Sequence, residues 1–455
     1  MITKKHSDPI LVQLAEARVP RYTSYPTALQ FNEDVGPDTC SEWLSELGND
    51  DSLSLYVHVP FCESLCWYCG CHTTVPNGYD RAARYVDTLL AEIKMKAACA
   101  TGAGQVSHVH FGGGTPTFLK PDDFLRVVDA MKANFTFASD AEIAVEIDPR
   151  TIDSGRLEGL VKAGVNRASI GVQDFNEEVQ HLVNRVQPVA LVEKCVADLR
   201  ANGIENISFD LIYGLPGQNE NSVRMTARVA TRMRPDRLSV FGYAHVPWFK
   251  SHQKVLESTE LPDVPERMRQ ADAIAEELTG QGYVQIGFDH FALADDAMAQ
   301  SVESGDLKRN FQGYTTDQAS ALIGFGASAI SNFPAGIVQN EPHLGKYQRL
   351  IMDDGLPAVK GVRISDEDRF RGEIISHLMC DMKVDLRDVA AHHGRDVSIL
   401  AENIDRLQPL EEAGLLERSD YQLKMTAMGR PFARNVAACF DPYLSSVEGR
   451  HSQGV

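Results

Sequence analysis

Residues 61–71, FCESLCWYCGC, hold four of the nine cysteines of this 455-residue chain in the spacing C-x3-C-x2-C-x-C. Structural zinc usually takes two pairs of ligands separated by roughly a dozen residues or more, and this stretch lacks the second pair. A 4Fe-4S cluster fits better, because a short loop can present three thiolates. Three ligands would leave one iron open to chelate a small ligand, so the loop predicts chemistry at the cluster as well as electron transfer.

The loop follows the first of six predicted strands that alternate with amphipathic helical stretches. The strands are predicted at residues 53–59, 106–112, 142–148, 167–173, 207–214 and 237–243. In the stretches between them, apolar residues recur at three- and four-residue spacing, as in helices packed on a sheet. Repeated strand–helix–strand units predict an α/β fold with a parallel sheet, which could close into a full or partial barrel or stay open.

Unusual residues follow directly after these predicted strands. The segments are PFCESLCWYCGC, GGGTPT, DPR, QDF, GLPGQ and AHVPW. In α/β barrels and in open parallel sheets, the functional site forms at the carboxyl ends of the strands. The sequence therefore predicts one site built from successive strand ends.

After the sixth predicted strand, the chain no longer shows the alternation of strands and helices. Residues 245–315 form a long connection, and the pattern becomes helical past about residue 360. A helix, Gly414 as its stop, a short hairpin and another helix outline a winged helix, for which we favour a packing or substrate-covering role. We expect an N-terminal substrate-covering segment (1–50), a barrel with its extension (51–350) and a mainly helical domain (351–455).

Composition and charge restrict the classes of function. The chain is 43% hydrophobic and 24% charged, as in ordinary globular proteins. It has no apolar run near the ~20 residues that span a bilayer, and its formal charge of −19 disfavours nucleic acid and membrane as partners. The N-terminus has no apolar core or cleavage site of a signal peptide, so we expect a cytoplasmic protein, in which clustered thiols indicate a metal or catalysis.

Cys62, Cys66 and Cys69, placed after the first strand of a (βα)6 pattern, resemble the motif of the radical S-adenosylmethionine superfamily. Tyr68 stands where members usually carry an aromatic residue. The resemblance implies that the three cysteines hold a 4Fe-4S cluster whose open iron binds S-adenosylmethionine, and that one electron cleaves the sulfonium to a 5′-deoxyadenosyl radical. Cys71 is not expected to be a fourth ligand, because it would fill the open iron; we expect it to pack beside the cluster or touch substrate.

Further stretches narrow the resemblance to the oxygen-independent coproporphyrinogen III oxidases. They are PRYTSYPTALQF (20–31), LYVHVPFC with CGC, HFGGGTPTFL (110–119), GVQDF, DLIYGLPGQ, FGYAHVPW, RNFQGYTT (309–316) and RNVAACFDPYL (434–444). The resemblance implies a partial (βα)6 barrel and the anaerobic oxidative decarboxylation of two propionates of coproporphyrinogen III to vinyl groups, giving protoporphyrinogen IX in haem biosynthesis. The radical would abstract a hydrogen from the propionate β-carbon.

The resemblance also implies two S-adenosylmethionine molecules. The cluster-bound molecule is expected at Tyr56, Gly113, Glu146 and Ile330, and Tyr56 and Glu146 are taken as catalytic. The second molecule is expected at Tyr68, Gly114, Thr115, Gln173, Arg185, Asp210 and Ala244. Glycine lets the backbone approach a ligand, Glu146 can accept hydrogen bonds from a ribose or an ammonium group, and Arg185 can clamp a carboxylate. Taken singly, these carboxylates could instead cap helices, and Arg185 could be a solvated charge.

The implied substrate carries four carboxylates, which an acidic chain must bind through local cations. Arg21 and Arg309 are candidates for these cations. Tyr22, Tyr25 and Tyr314 are candidates for hydroxyl donors or for stacking faces against pyrrole rings. These assignments rest on residue type and placement, and surface stabilisation is the alternative for each of them.

Other functions stay open at this point. A paralogous haem-utilisation enzyme shares the cluster motif, and a haem-binding chaperone should lack YTSYP, which this chain keeps. An electron carrier would need a fourth ligand, and a DNA-binding regulator would rest on the winged-helix outline against the charge. The main hypothesis also implies an electron donor for the cluster and an electron acceptor that the sequence does not name, and we expect a monomer.

Overall fold

The computed structural model describes the backbone of residues 6–446 and the side chains of residues 6–444. Numbered along the chain, its strands are Leu53–Val59 (β1), Val106–Gly113 (β2), Phe137–Ile147 (β3), Arg167–Gln173 (β4), Asn206–Tyr213 (β5), Arg237–Gly242 (β6), Tyr283–Ile286 (β7), His290–Leu293 (β8), Lys308–Asn310 (β9), Gly313–Thr315 (β10), Ala321–Phe325 (β11), Ile330–Phe333 (β12), Gly336–Asn340 (β13), Ala358–Arg363 (β14), Lys383–Asp385 (β15), Leu416–Ser419 (β16) and Gln422–Met425 (β17). Twelve of them form one sheet in the order β14-β13-β12-β11-β1-β2-β3-β4-β5-β6-β8-β7.

The predicted strands are present as β1–β6, each paired in parallel with the next. Every residue of β1 is buried, which agrees with the continuous apolar run expected of a strand covered on both faces. β3 starts earlier than predicted, because Phe137 pairs with Val106 on the far side of a register shift. The parallel core follows from the alternation of strands and helices in the sequence.

Additional strands extend this core at both edges. β8 pairs antiparallel with β6, and β7 with β8, so part of the 245–315 connection is ordered sheet. On the other side β11 pairs parallel with β1, and β12–β14 continue antiparallel. Tyr56 of β1, Asp210 of β5 and Ser239 of β6 line the same cavity. The sheet therefore curves around that cavity, and the expected partial barrel is confirmed.

The helices are Pro9–Glu16 (α1), Pro37–Ser45 (α2), Asp80–Cys99 (α3), Pro121–Asn134 (α4), Ser154–Ala163 (α5), Glu177–Leu182 (α6), Val189–Ala201 (α7), Glu220–Arg232 (α8), Val264–Gly280 (α9), Ala297–Ser304 (α10), Leu344–Met352 (α11), Asp366–Cys380 (α12), Leu386–His392 (α13), Ala401–Asp405 (α14), Gln408–Glu412 (α15) and Ala433–Ala438 (α16). Local signals set several ends: α5 begins after Asp153, whose carboxylate accepts from Arg156 N–H, and stops at Gly164 with φ of 87°. Among residues 6–446, no helix has both the length and the apolar character that crossing a bilayer requires.

The two ends of the described chain pack together, away from the main core. Leu11 and Ala15 of α1 belong to the same apolar cluster as Phe370 and Ile374 of α12. β15, β17 and β16 form a small antiparallel sheet, and Gly414 has φ of 72° between α15 and β16, as the predicted winged-helix outline requires. β14 lies past residue 350, so the main sheet extends beyond the boundary at which we expect the helical domain to begin.

A fully buried ion pair lies behind the sheet. Glu92 and Lys96 of α3 are 2.8 Å apart, and neither side chain is exposed. Lys96 also donates to the carbonyl of Gly324 and to the side-chain oxygen of Asn340, while Glu92 accepts from Tyr347 at 2.6 Å. Because every charge is hydrogen-bonded, the pair is compatible with a low-dielectric interior.

We expect Lys96→Met to lower the free energy of unfolding by about 3–5 kcal/mol, because it leaves the Glu92 carboxylate buried without its counter-charge. Urea unfolding followed by circular dichroism measures the change. The matched control is Lys194→Met. It removes an exposed ion pair with Asp198, which is also four residues away along a helix and lies 2.5 Å from the lysine nitrogen. That control should change the free energy by no more than about 0.5 kcal/mol. Equal effects in both variants would contradict a structural role for the buried pair.

Candidate active site

Contacts from distant parts of the chain hold the cysteine loop between β1 and α3. The N–H of Trp67 donates to the carbonyl of Val183 at 3.0 Å. From another side, Lys250 donates to the carbonyl of Cys71 and His252 to that of Cys69, both at 2.8 Å. The loop is therefore shaped by the segments after β4 and β6 as well as by its own sequence.

Polar groups approach the sulfurs of two of the three predicted ligands. Thr115 donates to Cys62 Sγ at 3.4 Å, and Thr73 Oγ1 lies 3.1 Å from the same sulfur. The guanidinium groups of Arg185 and Arg150 lie 3.5 and 3.6 Å from Cys66 Sγ. Hydrogen-bond donors and positive charge around a sulfur favour its thiolate form, which is the form that binds iron, although at Cys62 burial outweighs the two hydroxyls and raises the pKa of the thiol.

Cys69 and Cys71 have unequal environments. The pKa of Cys69 is lowered to about 7, first because the Cys71 thiol donates a hydrogen bond to it and further by Lys250 and Arg185, although burial opposes the shift. The pKa of Cys71 is raised well above its usual value, mainly because it is the donor in that pair. Cys71 also lines the main cavity. Cys71 therefore lies beside Cys69, the third of the predicted ligands, at the edge of the main cavity.

The glycines at the end of β2 and directly after it permit close contacts that a side chain would prevent. A Cβ on Gly112 would lie 2.7 Å from Glu146 Oε1, and one on Gly114 would lie 2.7 Å from the carbonyl of Phe61. Gly113 has φ of 114°, and a Cβ there would lie 2.7 Å from the His58 ring. The Gly113 N–H, which we expected to face a ligand, donates to Glu146 Oε2 at 3.2 Å.

Tyr56 and Glu146, the two residues taken as catalytic, face one cavity from β1 and β3, the strands on either side of β2. Tyr56 Oη lies 3.1 Å from His58 Nδ1, and His58 Nε2 lies 2.9 Å from the carbonyl of His72. Since that carbonyl can only accept, His58 carries its proton on Nε2 and Tyr56 donates to Nδ1. Burial lowers the pKa of His58 to about 4, so the imidazole is neutral. Glu146 Oε1 lies 3.2 Å from His110 Nε2.

A second group of the predicted residues surrounds the cysteine loop. Arg185 is buried; it donates to the carbonyl of Gly171 at 2.6 Å and to Asp148 at 3.2 Å. A Cβ on Gly171 would lie 2.8 Å from the side chains of both Arg185 and Gln173. The Tyr68 hydroxyl hydrogen-bonds to Cys66. Arg185 therefore lies under the cysteine loop, and its guanidinium group already contacts Asp148 and Cys66.

A cavity of about 990 Å³ opens at the carboxyl ends of the strands. It is lined by eight of the residues assigned from sequence, namely Tyr56, Gly113, Glu146, Asp210, Ala244, Arg21, Arg309 and Tyr314. Asp210 lies on its wall and accepts from Ser169 at 3.3 Å. Burial and the neighbouring Glu146 raise the pKa of Asp210 to about 6.

Arginines that sequence analysis did not single out line the same cavity. Arg267 and Arg434 are each under a tenth exposed, and both border the cavity with Arg21 and Arg309. Burial, together with the charges of Arg21 and Arg309, lowers the pKa of Arg434 to about 10. Asp289 lies among them, and although burial opposes it, Arg309 and His290 hold the pKa of its carboxyl at about 2. Arg434 stands in one of the quoted motifs, but Arg267 lies in an ordinary helical stretch.

Four of the assigned residues point elsewhere or are held by other groups. The Tyr22 and Tyr25 hydroxyls donate to the two oxygens of Asp441, at 3.0 and 3.4 Å. Tyr314 has its ring on the cavity, while its hydroxyl donates to the carbonyl of Met379. Ile330 borders a smaller cavity of about 210 Å³ that shares Arg21 with the main one.

Two protein families match the chain. Residues 56–230 match the radical SAM superfamily, and residues 364–432 match the HemN C-terminal domain. The first match contains the cysteine loop and the strands β2–β5, and the second contains α12 and the small sheet of β15–β17.

Relatives match over almost the full length. The oxygen-independent coproporphyrinogen III oxidase of Bradyrhizobium diazoefficiens is 47% identical, covering 98% of this chain and 99% of that protein. The chain belongs to the oxygen-independent coproporphyrinogen III oxidases. The Escherichia coli protein of that name is 39% identical over 96% of this chain and 95% of its own. A solved structure of that coproporphyrinogen III oxidase, HemN, described as a radical SAM enzyme, is 38% identical with a TM-score of 0.89, covering 94% of this chain and all of that one.

Family membership confirms the main hypothesis for fold, function and enzyme class. The activity is the anaerobic oxidative decarboxylation of two propionates of coproporphyrinogen III to vinyl groups, and a haem-utilisation enzyme or a chaperone is not favoured. A 4Fe-4S cluster and S-adenosylmethionine as cofactors are confirmed at the level of the superfamily. The donor set fits the cluster, because three thiols lie on one loop and hydroxyl and guanidinium groups are directed at their sulfurs.

We expect Arg150→Met to lower the midpoint potential of the cluster, because an N–H donor and a positive charge near Cys66 Sγ favour the reduced, more negative state. Arg150 reaches that sulfur while two of its nitrogens bond to Asp148. Redox titration followed by electron paramagnetic resonance measures the potential. Arg126→Met on the exposed face of α4 is the control. An unchanged potential in Arg150→Met would contradict the assignment.

Proposed function

We propose that the main cavity holds coproporphyrinogen III and that Arg21, Arg267, Arg309 and Arg434 bind its propionates. The observation that carries this proposal is the gathering of four guanidinium groups on the cavity, three of which, Arg21, Arg309 and Arg434, have Asp289 as an acidic neighbour. Arg309 lies 3.6 Å from Asp289. Asp289 is a single carboxylate beside three of these cations, so this part of the cavity is locally rich in positive charge although the chain as a whole is acidic.

Two of these arginines, Arg267 and Arg309, also have a hydrogen-bond donor that no described residue satisfies. Among the described residues, Arg267 Nε and Arg309 Nε are buried without a hydrogen-bond acceptor. A buried donor that lacks an acceptor costs about 1–3 kcal/mol, which a ligand carboxylate would recover. Guanidinium groups bind carboxylates through two parallel hydrogen bonds, and a tetracarboxylate can engage several of them at once. Phe288 and Tyr314 stack against Arg309, with ring centroids 4.9 and 4.5 Å away, and keep it in place.

In the proposed mechanism, one part of the cavity binds the substrate and another part is where the reaction takes place. Cys62, Cys66 and Cys69 would hold the cluster, which would supply the reducing electron for radical chemistry with S-adenosylmethionine at the propionate β-carbon. The arginine wall fixes the substrate at its propionates, so that a selected propionate faces the part of the cavity bordered by Tyr56 and Glu146. The neutral His58 holds the Tyr56 hydroxyl in one orientation. Positioning of this kind can contribute a large part of a rate enhancement.

We also propose two S-adenosylmethionine sites at the residues assigned from sequence. For the cluster-bound molecule the support is the side-by-side position of Tyr56, Gly113 and Glu146 on the cavity. Asp210 and Ala244 border the same cavity, and Tyr68, Gln173 and Arg185 lie at the cysteine loop, which supports a second molecule between them. Binding through the Arg185 guanidinium would require its bonds to Asp148 to be shared with the ligand.

Partners and location form a further part of this proposal. We infer a monomer in the cytoplasm that receives its electron from a separate donor. The support is that all nine cysteines, which lie within the described residues, are free thiols, as a reducing compartment maintains.

We expect Arg267→Gln to lower kcat/KM for coproporphyrinogen III by about 10- to 100-fold, mainly through KM, since one charge-assisted bond is worth about 1.5–3 kcal/mol. Mass spectrometry of an anaerobic reaction with reductant and S-adenosylmethionine measures protoporphyrinogen IX and 5′-deoxyadenosine together. Arg267→Lys should recover part of the loss, and Arg126→Gln, which lies outside the cavity, should behave like the unmodified enzyme. An unchanged KM in Arg267→Gln would contradict its role.

The pKa of Asp210 gives a prediction for S-adenosylmethionine binding. A carboxyl with a pKa of about 6 is ionised above that pH, and only the ionised form attracts the sulfonium. Affinity for S-adenosylmethionine should therefore rise between about pH 5, where one-tenth of the carboxyl is ionised, and about pH 7, where nine-tenths is. Equilibrium dialysis with labelled ligand measures it. The rise should vanish in Asp210→Asn and persist in the exposed Asp122→Asn; a rise that persists in Asp210→Asn would remove Asp210 from the site.

A further inference from the structure

Histidine and carboxylate side chains gather on the C-terminal domain, outside the cavity. Glu373 of α12 lies beside His392, the last residue of α13, and beside His393. Glu373 Oε2 is 2.9 Å from His392 Nδ1 and 2.9 Å from His393 Nε2. The three potential ligand atoms all lie within 4.8 Å of one another.

A fourth side chain extends the group. His377 lies one turn after Glu373, and its Nε2 is 3.9 Å from Glu373 Oε1. Its Nδ1 is 2.6 Å from Asp381 Oδ2. A proton held on Nδ1 by the carboxylate leaves a lone pair on Nε2, directed toward Glu373. This carboxylate–histidine arrangement is the one that orients metal-binding imidazoles in proteins.

We infer that Glu373, His392, His393 and His377 form a binding site for a divalent metal ion of the zinc type. Zinc binds nitrogen and carboxylate oxygen at about 2.0–2.2 Å in a tetrahedron, so neighbouring ligand atoms should be about 3.3 Å apart. The distances of 2.9, 2.9 and 3.9 Å from the Glu373 oxygens bracket that value. Ligand atoms of Glu373, His392 and His393 already lie within 4.8 Å of one another, and the His377 ring would have to turn toward the other two imidazoles to supply the fourth ligand.

Exposure and charge suit an ion that exchanges with solution. The His392 side chain is 71% exposed and that of His393 17%, so the site has one open side and one side against the domain. Neutral imidazoles and one carboxylate also form the donor set that prefers zinc over magnesium or calcium. The site lies on different elements from the cysteine loop and does not line the main cavity.

Metal at this position would join α12 to α13. The far end of α12 supports the cavity wall, because the Met379 carbonyl accepts from the Tyr314 hydroxyl at 2.6 Å. Tyr314 in turn stacks on Arg309. The ion would therefore stabilise a helix on which the proposed substrate wall rests.

The test uses cluster-loaded, full-length protein dialysed anaerobically against limiting zinc at about pH 7.5, where free imidazole is neutral. Elemental analysis counts the zinc, and zinc X-ray absorption identifies its ligands. We expect one zinc per chain with only nitrogen and oxygen neighbours at about 2.0–2.2 Å. No zinc uptake, or a sulfur shell at about 2.3 Å that places the zinc on the cysteine loop, overturns the inference.

Variants assign the ligands. The double variant His392→Gln with His393→Gln should lose this zinc, and His181→Gln, an exposed histidine paired with Glu177 at 3.8 Å, should keep it. Asp381→Asn leaves every ligand in place and should weaken zinc binding by about 10- to 100-fold, because the orienting carboxylate is lost. Zinc retained in the double variant, or an unchanged affinity in Asp381→Asn, overturns the assignment.

Discussion

The parallel pairing of β1 with β2 is the constraint on which the site depends. Val59 is in register with Gly113, and beyond the strands the Gly114 N–H donates to the Val59 carbonyl and the Thr115 N–H to that of Phe61. This ladder sets the glycine-rich turn against the cysteine loop with no space for a side chain between them. It also brings the Thr115 hydroxyl to Cys62 Sγ, so the environment of the sulfur follows from backbone hydrogen bonds.

The net charge of the whole chain differs from the local charge at the cavity. Over the whole chain acidic residues exceed basic ones, yet the wall of the cavity is rich in buried guanidinium groups. Water and salt screen the exposed surface charges beyond about 8 Å, whereas charges in a low-dielectric cavity interact strongly, so a local group of arginines can attract an anion that the surface does not. The net charge of the chain is therefore a better guide to partners that meet the outer surface than to ligands that enter a cavity.

The ends of the chain complete the cavity. The N-terminal tyrosines Tyr22 and Tyr25 donate to Asp441, near the opposite end of the described chain. Their position next to Arg21 explains why the N-terminal motif and the C-terminal motif occur together: each contributes an arginine to the same wall, Arg21 from one and Arg434 from the other. The hydroxyls thus act in packing, and the guanidinium groups face the cavity.

The sequence by itself determined the parallel strands, the cysteine loop after β1 and the winged-helix outline, because hydrophobic periodicity and ligand spacing are local properties of the chain. It also indicated that strand ends would share a site, since parallel strands present their carboxyl ends at one edge. Only the tertiary structure decided which arginines converge, that Arg185 lies under the loop against Asp148, and that His377, His392 and His393 meet around Glu373. Such contacts join residues far apart in the chain, and a helical arginine such as Arg267 carries no local signal of the neighbours that folding will give it.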